Sequence, residues 1–173
     1  MDGYQNELQT AIAAVRQAAR VTQAVQKQIT DDVLEKQDRS PVTIADYASQ
    51  AVICHALKEA LPDDPIVGEE DAAELRGGDN AGFVNRILEE LAAIDVDTTA
   101  DEVCSWIDLG NGTGGSRFWT LDPIDGTKGF LRGQQYAISL ALIVDGELTV
   151  AVLGCPNLPL DPDDETSPGT LFF

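Results

Sequence analysis

Four acidic residues, Asp46, Glu69, Asp122 and Asp125, stand where carboxylates could do chemistry. Asp122 and Asp125 flank Pro123-Ile124 at the mouth of an apolar strand, Phe118-Trp-Thr-Leu121, and Gly126 and Thr127 follow at once. Carboxylates at a strand end, with a backbone carbonyl between them, suit a hard divalent cation that takes oxygen ligands. Mg2+ matches best, because it keeps several waters and asks for neither thiolate nor imidazole. Glycine lets the chain turn sharply at this point, and the amides after such a turn can point at phosphate oxygens. Each acid alone has a plainer reading: Asp46 as a helix cap, Glu69 as one solvated acid among many, Asp122-Pro123 as a turn. The combination carries the argument.

Other chemistries find little material. His55 is the only histidine, so a His-based zinc site or a Ser-His-Asp triad is poorly supplied, and a lone histidine in an amphipathic segment is usually structural. Cys54, Cys104 and Cys155 are odd in number and lack zinc-ligand spacing, which reads as free buried thiols in a reducing compartment. The first ten residues lack a basic stretch followed by an apolar one, so no signal peptide is expected. The longest mostly apolar run, Tyr136 to Val144, is far too short to cross a bilayer. These points together predict a cytoplasmic protein that does not engage a membrane.

Composition narrows the partners. The 173 residues are 43% hydrophobic and 24% charged, an ordinary folded composition with enough chain for one domain or slightly more. Eleven Lys and Arg face 30 Asp and Glu, for a net charge of −19. That field argues against a groove for polymeric nucleic acid and against anionic lipid. An anionic substrate would need another attraction, and bridging cations supply one.

The elements that must position these acids follow from periodicity. Leu8, Ile12, Val15 and Ala19 predict a helix over 4–29, broken by the segment Lys36 to Pro41. A second helix is expected over 43–61, opened by a capping box from Thr43 to Asp46, with Ala48, Val52, Ala56 and Leu57 inward. Ile66-Val67 reads as a short strand running into Gly68-Glu69-Glu70. A third helix covers 80–94, with Phe83, Ile87, Leu88, Leu91 and Ile94 inward. The stretch 95–116 is acidic and then Gly-rich, with a short helix from Ala100 to Leu109 stopped by Gly110. Strands are predicted at 118–121, 136–144 and 147–153, the last two joined at Asp145-Gly146, with another beginning at Thr170. Because the chain stops within Leu171-Phe172-Phe173, a longer protein is expected, with an unpaired sheet edge and a tendency to self-associate here.

Three segments, Asp38-Arg-Ser-Pro-Val-Thr-Ile-Ala-Asp46, Val67-Gly-Glu-Glu70 and Trp119-Thr-Leu-Asp-Pro-Ile-Asp-Gly-Thr127, resemble in order the N-terminal motifs of the inositol monophosphatase superfamily. Lys128-Gly-Phe-Leu-Arg-Gly-Gln-Gln-Tyr-Ala-Ile138, the long connection from Glu70 to Asp122, and Val150-Ala-Val-Leu-Gly-Cys-Pro-Asn157 are similar to its 3'(2'),5'-bisphosphate nucleotidase branch. Simple monophosphatases typically carry Thr-Asn-Phe after the Asp-Gly-Thr.

The resemblance implies an α/β (α+β) layered sandwich, with N-terminal helices on a mostly antiparallel sheet. It implies that residues 1–173 are an incomplete N-terminal metal-dependent phosphatase domain, with 95–116 as an insertion and the C-terminal domain missing. A further metal-ligand aspartate and part of the nucleotide pocket would lie in that missing region. The implied activity is Mg2+-dependent hydrolysis of 3'-phosphoadenosine 5'-phosphate to AMP and phosphate, inhibited by lithium and linked to sulfate assimilation. Some members accept 3'-phosphoadenylyl sulfate or inositol 1,4-bisphosphate. An inositol polyphosphate 1-phosphatase and a catalytically impaired fragment are the alternatives. By resemblance, Glu69, Asp122 and Asp125 match metal ligands, and Ile124 lends its backbone carbonyl. Asp46 and Thr127 match the pair that orients the attacking water, with Asp46 as proton acceptor and Thr127 also touching the phosphate.

Overall fold

A computed structural model describes residues 3–29, 40–77, 80–161, 163 and 167–173. Helix α1 (Gln5–Gln26) buries Ala11, Ile12, Ala14, Val15, Ala18, Val21, Thr22 and Val25, a stripe that recurs every three or four residues. Its alanines let α2 (Ser40–Ala60) approach closely, and the two helices form one layer. The predicted break falls partly outside the described residues, which omit 36–39.

The capping box expected from Thr43 to Asp46 is not how α2 begins. The described residues are already helical at Ser40 and Pro41, three residues before Thr43. Thr43 and Asp46 therefore lie inside the helix, and Asp46 is displayed from its second turn rather than spent on its end.

The second layer is a five-stranded sheet in the order β1 (Ile66–Val67), β2 (Arg117–Asp125), β3 (Ala137–Val144), β4 (Glu147–Cys155), β5 (Thr170–Phe172). Every pairing is antiparallel except β1 with β2. Asp145 and Gly146 turn β3 into β4 with φ of 51° and 84°, the paired left-handed geometry that favours Asp-Gly in a two-residue hairpin. Trp119, Leu121, Ile138, Leu140, Leu142, Val150 and Val152 alternate inward and pack under the helices.

Helix α3 (Ala81–Ala92) buries Val84, Ile87, Glu90 and Leu91, while Phe83 and Leu88, expected inward, are only partly covered. Helix α4 (Ala100–Asp108) gives the acidic stretch a definite start. Thr99 Oγ1 accepts from the Glu102 N–H at 3.3 Å, and the Glu102 carboxylate accepts from the Thr99 N–H at 2.9 Å. Such a reciprocal cap satisfies two amides at the helix start that have no helical acceptor. A five-residue helix, α5 (Thr127–Leu131), follows β2 directly and was not expected from the sequence. Among the described residues no helix is long and apolar enough to cross a membrane.

Candidate metal and phosphate site

The parallel pairing of β1 with β2 puts two of the predicted acids side by side. Ile66 pairs with Trp119 and Val67 with Thr120. Glu69 and Asp122 each stand two residues beyond the last pair, in the same direction. An antiparallel β1 would have sent Glu69 to the other end of β2. Backbone bonds hold β1 in place, from Trp119 N–H to Pro65 O at 2.8 Å, from Gly112 N–H to Ile66 O at 2.8 Å and from Gly68 N–H to Gly110 O at 2.7 Å.

The end of β2 is irregular, and the irregularity aims its side chains. Asp122 pairs with Ser139 and Asp125 with Ala137, so three steps on β2 face two on β3. A bulge of this kind tolerates Pro123, which could not sit in the middle of a regular ladder. Ile124 buries its side chain, its N–H donates to Asp122 Oδ1 at 3.1 Å, and Asp125 is exposed. Both aspartates thus belong to the strand's last residues rather than to a loop at its mouth. Gly126 then takes φ 99°, a left-handed conformation that a side chain would strain. Thr127 follows, exposed, as the first residue of α5.

Helix α2 supplies the third wall. Asp46 is largely buried, and its carboxyl is pushed up to about 8, first by burial and then by the charges of Glu70, Glu69 and Asp122. Asp122 is raised by burial, then by Glu69 and Asp125, against a lowering hydrogen bond from the Ile124 amide. Glu70 is raised by burial and by Glu69 and Asp71, while the Tyr47 hydroxyl, which donates to it, pulls the other way. Tyr47 in turn is pushed up to about 12, by burial and then by Glu70, Glu74 and Asp71. Four of the predicted residues, Asp46, Glu69, Asp122 and Asp125, therefore share one electrostatic neighbourhood, joined by Glu70.

Among the described residues no ion pair reaches any of these five acids. Nor are any three His, Cys, Asp or Glu side chains among them drawn tightly enough to enclose an ion. The donor chemistry nevertheless fits a hard cation: carboxylate oxygens that repel one another, partly out of water, on three separate elements.

Three neighbours escaped the sequence reading. Ser49 Oγ, fully buried, donates to Pro123 O at 3.1 Å and ties α2 to the bulge. Gln50, equally buried, binds the backbone of Glu69 and Glu70. Glu70 is the strongest charged neighbour of Asp46. The available signal was a polar pair, Ser49-Gln50, set between Ala48 and Ala51-Val52 on a helix face that otherwise reads as core.

A sequence model described as the inositol monophosphatase family matches residues 4–162. "3'(2'),5'-bisphosphate nucleotidase 2" of Candida albicans is 47% identical, over 90% of this chain and 48% of its own length. "3'(2'),5'-bisphosphate nucleotidase" of Schizosaccharomyces pombe is also 47% identical, over 95% of this chain and 51% of its own. "3',5'-bisphosphate nucleotidase 2" of Arabidopsis thaliana is 42% identical, over 98% and 55%. The chain spans about half the length of these curated relatives. Among solved structures, Mycobacterium tuberculosis SuhB superposes with a TM-score of 0.52 at 21% identity, over 89% of this chain and 42% of that one. An inositol monophosphatase from Anabaena gives 0.52 at 18% identity, over 92% and 46%. At these identities the two structures speak for the fold alone.

Proposed function

The chain belongs to the inositol monophosphatase family, and from that premise we propose that its acidic site serves divalent-cation-dependent hydrolysis of a phosphate monoester. The cation is Mg2+ and the substrate is a 3'(2'),5'-bisphosphate nucleotide, 3'-phosphoadenosine 5'-phosphate above all. AMP and phosphate are the products. What supports the substrate class is the identity to nucleotidases from two yeasts and a plant, and the Lys128-Gly-Phe130 sequence after Asp-Gly-Thr. The single observation behind the chemistry is the convergence of Asp46, Glu69, Glu70 and Asp122 without a protein cation among the described residues.

In this reading Glu69, Asp122, Asp125 and the Ile124 carbonyl hold the metal ions. Bound there, divalent cations supply Lewis acidity and a water of lowered pKa. Asp46, which faces Glu69, Glu70 and Asp122 from α2, accepts a proton from the attacking water, and bound cations would offset the acid crowding so that its carboxylate is free to do so. The Thr127 hydroxyl orients that water and touches the phosphate. The left-handed Gly126 lets the chain turn from β2 into α5 within one residue, which sets Thr127 two positions past Asp125.

The 173 residues are, on this proposal, the N-terminal metal-binding domain of such a nucleotidase, working in the cytoplasm in sulfate assimilation, with lithium as an inhibitor. Phosphate release is the test, measured on 3'-phosphoadenosine 5'-phosphate, 3'-phosphoadenylyl sulfate and inositol 1,4-bisphosphate. The chain is assayed alone and extended with the C-terminal half of a relative. The extended protein should release phosphate fastest from 3'-phosphoadenosine 5'-phosphate and only with Mg2+. Turnover that survives complete chelation overturns the mechanism, and preference for inositol 1,4-bisphosphate overturns the substrate.

A further inference from the structure

Glu69 and Glu70 lie beyond the end of β1, and past the Gly68 bond to Gly110 O their amides have no strand to pair with. A side chain takes the place of that strand. Gln50 Oε1 accepts from the Glu69 N–H at 3.1 Å and from the Glu70 N–H at 3.0 Å. Its Nε2 donates to Glu70 O at 2.6 Å and to Ile107 O at 2.9 Å. A primary amide has two acceptor sites and two donors, and here all four are used in a side chain with no exposed surface. Two glycines make room for it: a Cβ on Gly68 would stand 2.5 Å from Gln50 Oε1, and one on Gly110 would stand 2.5 Å from Nε2.

We propose that Gln50 is a positioning residue of the site, a clamp that fixes Glu69 and Glu70 against Asp46 without touching an ion or substrate. Asp46 and Gln50 lie four residues apart, one above the other on the same helix face. One turn of α2 therefore carries the acid and also sets its distance from the opposing acids. No substitution reproduces the four bonds. Leucine keeps the bulk and makes none of them. Glutamate keeps the acceptors, loses both donors and adds a charge among acids. The bond to Ile107 O also anchors the clamp to the last turn of α4, so the acidic loop is referenced to two helices.

The metal consequence rests on the functional reading above; the clamp itself does not. The test therefore uses two measurements on the whole chain: hydrogen exchange of the Glu69 and Glu70 amides without metal, and Mn2+ affinity by electron paramagnetic resonance. Gln50→Leu should speed exchange at both amides at least tenfold and weaken Mn2+ binding about 10–100-fold, the usual cost of losing an outer-shell partner. Gly110→Ala pushes on Nε2 from just past the end of α4 and should move both readouts in the same direction, so it carries the test if Gln50→Leu fails to fold. Val15→Ala, a cavity in α1 away from the acids, should lower global stability and leave both readouts at their wild-type values. If the Gln50 and Gly110 variants exchange like Val15→Ala at residues 69 and 70, the clamp is wrong. If the wild-type chain binds no Mn2+, the functional reading fails, while the exchange data still decide on the clamp.

Discussion

The two ends of β2 are built from the same kinds of residue and are finished in opposite ways. At its start, Arg117 donates from Nε to Asp64 Oδ1 at 2.6 Å, and from Nη2 to Asp64 Oδ2 at 2.7 Å and to Glu7 Oε1 at 3.0 Å. Trp119 Nε1 adds a bond to Asp64 Oδ2 at 3.0 Å, and the guanidinium lies over the Tyr4 ring. Asp64 and Glu7 share the Arg117 cation, and the Asp64 hydrogen bond holds the guanidinium above its ordinary pKa. At the far end, Asp122 and Asp125 meet Glu69, Glu70 and Asp46, and the described residues supply no cation. Acids closed off by arginine tie α1, the 61–65 turn and the sheet together. Acids left crowded and uncompensated repel one another, a repulsion that a cation from solution would relieve on the proposed function.

Substitution at the crowded end should give the largest effects. Asp46→Asn should lower turnover of the extended protein by about 10²–10⁴-fold with metal affinity largely kept, as for loss of a general base. Asp122→Asn should lower turnover and metal affinity together. Kinetics and Mn2+ titration of both variants check this, and equal losses of affinity would mean that the roles are divided wrongly. At the closed end, Arg117→Met leaves Asp64 and Glu7 without their cation. The cost should be about 3 kcal/mol, low for a one-sided break of a buried pair because 32% of Arg117 is exposed. Urea unfolding measures it, and Mn2+ affinity should stay as it was.

The pH response separates the two ends further. Without metal, burial and then the charges of Glu70, Glu69 and Asp122 push the Asp46 carboxyl up to about 8 from its ordinary 3.8. Folding thus binds a proton between those values. The stability it carries is full below the unfolded pKa and is lost as pH rises through the folded one. Asp122 and Glu70, also raised, act in the same sense. The metal-free chain should therefore melt at falling temperature as pH rises toward 8. Mg2+ at a hundred times its Kd should restore about 2.7 kcal/mol at the top of that range. A melting temperature that rises with pH under chelation would contradict the account of the crowded acids. The smallest effect is expected at His55, stacked on Trp106 at 4.1 Å and 16°. His55→Phe keeps the stack and should change stability by no more than about 0.5 kcal/mol and turnover not at all. A large loss of turnover would bring the lone histidine into the chemistry.

Much of this was legible beforehand, for identifiable reasons. Local signals worked where local physics decides: helices α1 and α3, the Asp145-Gly146 hairpin and the short β1 stand where periodicity and turn chemistry put them, although Leu8, Ala19, Phe83 and Leu88, expected inward, are only partly covered. A start of α2 at Thr43 was misread because Thr-x-x-Asp imitates a capping box and Pro41 imitates a break, whereas Ser40 and Pro41 are already helical. Helix α5 was missed because Thr127-Lys-Gly-Phe-Leu131 is too short for a periodicity. The candidate acids were found by type and spacing. Gln50 and Ser49 were not, because a buried polar side chain declares its purpose only through partners distant in sequence, such as Pro123, 74 residues on.

The sequence by itself determined which acids exist, the apolar faces that must be covered, and the glycines that allow a turn at 126 and close packing at 68 and 110. Those follow from side-chain type and from spacing over a few residues. The tertiary structure decided that β1 runs parallel to β2, which brings Glu69 beside Asp122 rather than to the opposite end of the strand. It also decided that α2 crosses beneath them with Asp46, Ser49 and Gln50 turned to one side. Strand direction and helix docking depend on burying surfaces that lie 50 or more residues apart in the chain. No local pattern encodes that distance, and a site assembled from three elements exists only once it has been closed.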